Sequence, residues 1–165
     1  MQIVDGNRVP TITSTGIYGF FGPYRFLSNF HVSPVALDGL VYPSSEHAYM
    51  AQKSHAPEVR RLISQAPTPA AARRLGQTIA LREDWNDARL PAMLHVLLCK
   101  FKDPELQRLL LATGERYLEE TNNWGDRFWG VDGHGQNNLG QLLMLVRRQL
   151  AARVSPQADL FSGQG

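Results

Sequence analysis

The chain has 165 residues and one cysteine, Cys99, so no intramolecular disulfide can form and no zinc site can be built on cysteines. Cys99 lies in the apolar helical run Met93-Leu94-His95-Val96-Leu97-Leu98-Cys99, where a core thiol is a better reading than a nucleophile. No apolar stretch approaches the ~20 residues that a membrane span requires. The N-terminus has no basic-then-apolar leader, so no membrane attachment and a cytoplasmic location are expected. His47, His55, His95 and His134 lack any shared ligand spacing such as H-E-x-x-H, so no metal is expected. No Ser–His–acid triad can be read from order or spacing.

Charge of one sign is also scarce. Lys and Arg number 17 against 15 Asp and Glu, a net +2 that tolerates an anionic ligand without the basic stripe of a nucleic-acid binder. The pairs Arg73-Arg74 and Arg147-Arg148, with Arg82 and Arg153, read as solvated helix faces. A hydrophobic fraction of 43% and a charged fraction of 19% are ordinary for a globular chain of one domain.

The elements read as follows. Val9–Thr13 and Ile3-Val4 suit a hairpin around Asp5-Gly6. Phe20, Phe21, Tyr24, Phe26 and Phe30 put an aromatic cluster beside Arg25, Ser28 and Asn29. Asp38-Gly39 is a turn, followed by a short extended run and a helix over about 44–54 with Ser44 as N-cap. Helices are expected from Pro57 to about Gln65, and from Thr68-Pro69 to a stop at Gly76. Others run from Asn86 or Asp87 through Leu90, Met93, Leu94, Leu97 and Leu98, and from Asp103-Pro104 to Gly114. The last spans about Asn138 to Arg153, leaving 1–154 as the domain and 155–165 as a flexible tail. The fold class is α+β, predominantly helical, with short strands near the N-terminus.

Two constellations could carry chemistry. Glu46 stands beside His47 in a first helical turn, and positions 46, 49, 50 and 53 share one face. Glu46 and Lys53 would lie about 10 Å apart along the axis, a spacing that grips two parts of one ligand. A carboxylate kept only for helix stability is the alternative. The second constellation is Asn122-Asn123-Trp124-Gly125-Asp126-Arg127-Phe128-Trp129-Gly130, followed by a Gly-rich loop that feeds a helix at Asn137-Asn138. Free amides at such a helix start suit a phosphate, whereas a turn-rich connection with a core Trp is the other reading. Trp85, at a helix start, is a stacking surface or a packing anchor.

In order along the chain stand Phe26-Leu27-Ser28-Asn29-Phe30, Pro43-Ser44-Ser45-Glu46-His47, Gln52-Lys53, Trp85, Lys100-Phe101, Asp126 with Phe128-Trp129-Gly130, and Asn138-Leu139-Gly140 with Arg147. On these the chain resembles the NADAR superfamily of YbiA-like N-glycosidases over roughly 18–150. The resemblance implies a compact helix-rich domain and a cofactor-free hydrolase of N-glycosidic bonds to a phosphorylated ribose. Implied substrates are ADP-ribose on a base, notably guanine in nucleic acid, and ribosylamino-pyrimidine phosphates of riboflavin biosynthesis. In the first case an ADP-ribosyltransferase toxin is an implied partner. The alternative is a non-catalytic module that binds ADP-ribose or a nucleotide. The site then implied has Glu46 and Asp126 as the carboxylates and Trp85 and Trp129 bordering the heterocycle. Arg25, Lys53 and the helix start at Asn137-Asn138 would hold phosphate, and Asn29 a ribose hydroxyl, with Ser28, His47 and Gly130 completing it. The loop after Trp-Gly, Val131–Asn137, contains no lysine, unlike that of many relatives.

Overall fold

The computed structural model describes residues 8–161, with side chains to 154. The hairpin expected around Asp5-Gly6 therefore lies outside the described residues. Strand β1 (Thr11–Ile12) pairs antiparallel with β2 (Gly16–Tyr18), and β2 pairs in parallel with β5 (Tyr117–Glu119). A 3-10 helix over Gly22–Leu27 leads to a second sheet of β3 (Val32–Leu37) and β4 (Leu40–Ser44). Its two-residue loop is Asp38-Gly39, with φ of 51° and 79°. Two consecutive positive φ values make the tight hairpin turn that Asp-Gly favours.

Strand β4 runs straight into helix α1 (Ser45–Ala51). Ser44 caps it as expected, its Oγ accepting from the His47 N–H. Every residue of α1 is buried, and α2 (Pro57–Ser64), α3 (Pro69–Thr78) and α4 (Trp85–Lys100) pack around it. Helix α5 (Pro104–Ala112) and the long α6 (Asn138–Phe161) close the other side. The core joins Ile17, Phe20, Leu27, Tyr42, Met93, Leu97, Leu118, Leu139, Leu143 and Val146. The domain is α+β and predominantly helical, as its sequence suggested.

Three local expectations change. Gly76 does not stop α3, which continues to Thr78. It is buried where α3 crosses α1, and a Cβ there would run into the Met50 side chain. Its small size permits the close helix contact. Helix α6 extends beyond Arg153 to Phe161. Arg147 is 7% exposed rather than solvated, and donates to Thr113 Oγ1 at 2.7 Å, tying α6 to the end of α5. Among the described residues no helix is long and apolar enough to cross a membrane.

Candidate active site

The Ser28-Asn29-Phe30 segment lies against the start of α1, because the Glu46 N–H donates to the Asn29 carbonyl at 3.0 Å. From there α1 sends Glu46, Tyr49 and Met50 to one side, and although the helix ends at Ala51 rather than near 54, the turn after it keeps Lys53 with them, so that all four line a cavity of about 450 Å³. This is the helical face that the spacing anticipated. The opposite wall comes from the segment after β5, with Glu120, Thr121, Trp124, Asp126 and Trp129. Arg25, Ser28 and Asn29 line it too, together with Trp85, Arg89 and Met93 from α4. Arg73 and Gln77, four residues apart on α3, line it as well, as do Arg8, Phe20, Phe21 and Phe30.

The cavity brings together eight of the residues singled out from sequence: Glu46, Asp126, Trp85, Trp129, Arg25, Ser28, Asn29 and Lys53. Trp85 and Trp129 do not face each other alone. Tyr49 stands between them, with ring centroids 5.4 Å from Trp85 and 5.2 Å from Trp129. The edge-on approach to Trp129 is a favoured aromatic geometry. Burial, then the nearby charge of Glu46, pushes the Tyr49 hydroxyl well above its ordinary value, so it stays a neutral donor.

Glu46 is 7% exposed, and its carboxyl takes no hydrogen bond from the described residues. Burial lifts its pKa from 4.5 to about 7, with Arg73 and Lys53 opposing the rise and Asp126 adding to it. Glu120, which the sequence reading overlooked, is lifted to about 8 by burial and then by Asp126 and Glu46. Two carboxyls thus titrate near neutrality in one cavity. Asp126 is held differently: its Oδ1 accepts from the Phe128 and Trp129 N–H groups at 3.2 and 2.9 Å. The Asn122 side chain clasps the same loop, accepting from the Trp124 and Asp126 N–H groups and donating to the Asp126 carbonyl at 2.7 Å.

The cations are also fixed. Lys53 Nζ donates to the Gly76 carbonyl at 3.2 Å, which leaves further N–H groups for an anion. Burial lowers its pKa, Glu46 opposing. The Arg89 guanidinium lies 3.7 Å from the Phe128 ring centroid. Arg73 belongs to this wall and is no part of a solvated pair. Behind the wall, buried Lys100 donates to the Ser28 carbonyl at 3.0 Å and is brought down to about 7 by burial, Glu120 opposing. Among the described residues Asn29 Oδ1 is buried without a hydrogen-bond partner, while its Nδ2 reaches the Met93 sulfur at 3.5 Å. An amide so placed has hydrogen-bonding capacity left for a hydroxyl.

Four expected site residues do not line the cavity. His47 is fully buried, its Nδ1 2.7 Å from Ser44 Oγ and its Nε2 3.0 Å from the Ala66 carbonyl. It locks the helix start to the turn after α2. Asn137 has φ of 51°, and its side chain binds the Glu120 N–H, the Leu118 carbonyl and the Tyr117 hydroxyl. Asn138 Nδ2 donates to the Phe128 carbonyl at 2.8 Å. The first amides of α6 are consumed as well: the N–H groups of Asn138 and Leu139 donate to the Phe128 and Trp129 carbonyls. This helix start is therefore occupied by protein and is no phosphate cradle. Gly130 serves packing, since a Cβ there would meet the Glu120 carbonyl and the Asn122 amide.

Fold and cavity together define a helix-rich α+β domain built round one pocket of acids, arginines and aromatic rings. The chain belongs to the NADAR domain family, whose model matches residues 18–151. It is 36% identical over 157 residues to the N-glycosidase YbiA of Escherichia coli, covering 90% of this chain and 97% of that protein. A riboflavin biosynthesis protein of Vibrio vulnificus is 39% identical over 132 residues, which span 77% of this chain and 36% of the longer protein. The NMR structure of E. coli YbiA superposes with a TM-score of 0.76, covering 87% of this chain and 89% of that one at 36% identity.

Proposed function

We propose that this chain hydrolyses the N-glycosidic bond between a phosphorylated ribose and a nitrogenous base. The class of the enzyme, an N-glycosidase, rests on its full-length relatives. The observation that carries the reading is the convergence of Glu46, Glu120 and Asp126 with Lys53, Arg73, Arg25 and a Trp85–Tyr49–Trp129 wall on one cavity.

Cleavage passes through an oxocarbenium-like ribose, so positive charge grows at the anomeric carbon as the C–N bond breaks. The carboxyl oxygens of Glu46 and Asp126 stabilise that charge, and ionised Glu46 takes a proton from the water whose oxygen bonds to the anomeric carbon. Glu120, neutral up to about pH 8, gives its proton to the departing nitrogen. Arg73, Lys53 and Arg25 hold phosphate, Asn29 meets a ribose hydroxyl, and the aromatic wall borders the base. A pure binder of an anion gains nothing from three carboxyls, which weighs against the non-catalytic alternative.

Two substrates fit this chemistry. The relatives in riboflavin biosynthesis favour a ribosylamino-pyrimidine phosphate. The number of cations and rings on the cavity favours ADP-ribose attached to a base such as guanine in nucleic acid, the modification an ADP-ribosyltransferase toxin would leave. Product mass spectrometry separates them. Free ADP-ribose from ADP-ribosyl-guanine DNA supports the second, and ribose 5-phosphate from the pyrimidine substrate supports the first. Release from neither, with ADP-ribose still bound, refutes the hydrolase and leaves a binding module.

A further inference from the structure

The chemistry above makes no use of Lys100. This lysine is 1% exposed at the end of α4, and its Nζ donates to the Ser28 carbonyl at 3.0 Å. The same carbonyl accepts from the His31 N–H at 3.2 Å, and Ser28 Oγ accepts from the Phe30 N–H at 3.1 Å. The turn from Ser28 to His31 is thus closed on itself and anchored to the lysine. Its next residue, Asn29, lines the cavity and turns its carbonyl to the Glu46 N–H at 3.0 Å. One path of bonds therefore runs from Lys100 through Ser28 and Asn29 to the start of α1 and Glu46.

An ammonium is a costly means of anchoring a turn. Its burial costs more than one bond to a neutral carbonyl returns, and a methionine of similar volume would fill the same space. The carbonyls at the end of α4 offset part of that cost, because a helix C-terminus favours a cation. The rest of the charge pattern points to the cavity. The acid that acts on Lys100 is Glu120, while Arg25 opposes it and His31 feels its charge. Glu120 in turn faces the anions Asp126 and Glu46 and the cations Arg73 and Lys100. Lys100 is the one of these cations that stands behind the wall, where an anionic ligand in the cavity does not neutralise it.

We infer that Lys100 is a positioning residue of the active site, a buried cation that fixes the Ser28–Asn29 turn against the start of α1 and governs the proton on Glu120 from behind the cavity wall. This rests on the N-glycosidase reading of the cavity. Lys100 touches neither substrate nor reacting atoms. It acts through two groups that do: Asn29, whose amide it holds in place, and Glu120, whose carboxylate its charge favours. Without the cation, Glu120 would keep its proton to higher pH, and the acid and base of the reaction would no longer be held in one geometry.

The test is carbon-13 NMR titration of the Glu120 carboxyl, assigned with Glu120→Gln, in wild type and Lys100→Met, beside the pH profile of base release. Lys100→Met is expected to raise the Glu120 midpoint by about one pH unit, the low end for loss of a nearby opposite charge. The falling limb of kcat/KM should move up with it, and kcat at the optimum should drop about tenfold or more as the turn loosens. A lysine that only supports the fold would lower the urea midpoint and leave the Glu120 midpoint and the limb in place. An unchanged Glu120 midpoint overturns the proposal, as does a wild-type kcat in Lys100→Met. Should Lys100→Met not fold, the reciprocal measurement decides: Glu120→Gln must lower the midpoint of the Lys100 ammonium, because the coupling acts equally on both partners. An unmoved Lys100 then overturns the proposal. If the midpoints move as expected yet wild type releases no base from any substrate, the coupling stands and the hydrolase reading fails.

Discussion

Replacing Glu46 by Gln should stabilise the fold, and by an amount that depends on pH. The folded protein holds the carboxyl at about 7 against an ordinary 4.5, chiefly through burial. Below pH 4.5 the group is protonated in both folded and unfolded chains and has no effect. Between 4.5 and 7 the unfolded chain has released the proton and the folded one has not, so rising pH favours unfolding. Above 7 the full difference persists, on the order of 3 kcal/mol. Glutamine has nearly the same shape and carries no charge, so it removes this term. Urea unfolding of wild type and Glu46→Gln is therefore expected to differ by under about 1 kcal/mol at pH 5. At pH 8 the variant should gain up to about 3 kcal/mol, roughly 6–12 °C in Tm for a domain of this size. An advantage that is the same at both pH values, or a loss at pH 8, would refute the idea that the carboxyl is held buried and unpaired at a cost to the fold.

Other expectations concern the same neighbourhood. The rate profile of kcat/KM should be bell-shaped, rising through about pH 7 as the coupled acids ionise and falling above about 8 as Glu120 loses its proton; a flat profile from pH 6 to 9 would exclude these carboxyls as base and acid. His47→Ala should cost about 1–3 kcal/mol of stability through two lost buried hydrogen bonds, with KM for substrate unchanged once folded; a selective rise in KM would return His47 to the site. Gly76→Ala should destabilise by about 1–3 kcal/mol through overpacking against Met50, seen as a lower urea midpoint.

Much of this site was legible because it is local. Ser44 reads as a cap, Asp38-Gly39 as a turn, and their spacing puts Glu46 in a first turn with residues 49, 50 and 53 on its face. Tyr49 lies on that face in the sequence, but that it stands between Trp85 and Trp129 follows only from the packing of α1 against α4 and the loop after β5. What stayed hidden depends on contacts far apart in the chain. Glu120 reaches the cavity because Tyr117–Glu119 pairs with Gly16–Tyr18, about a hundred residues away, and no local pattern announces that pairing. Arg73 and Arg74 are neighbours in sequence, and only the packing of Ala72 and Gly76 against α1 decides that Arg73 turns toward the cavity. The helix start at Asn137-Asn138 reads as open in sequence, yet the N–H groups of Asn137, Asn138 and Leu139 donate to the carbonyls of Gly130, Phe128 and Trp129, a loop-to-helix closure that composition does not reveal. Trp124 read as part of a turn, since exposure is a property of the folded loop.

The central claim is that Glu46 takes part in hydrolysis of an N-glycosidic bond. Its most direct test is single-turnover mass spectrometry of base release by wild type and Glu46→Gln, each saturated with the substrate that wild type accepts. The account predicts release by wild type and a loss of about 10²–10⁴ in rate for the variant, with ligand affinity and fold retained. Release by Glu46→Gln at near the wild-type rate would contradict it.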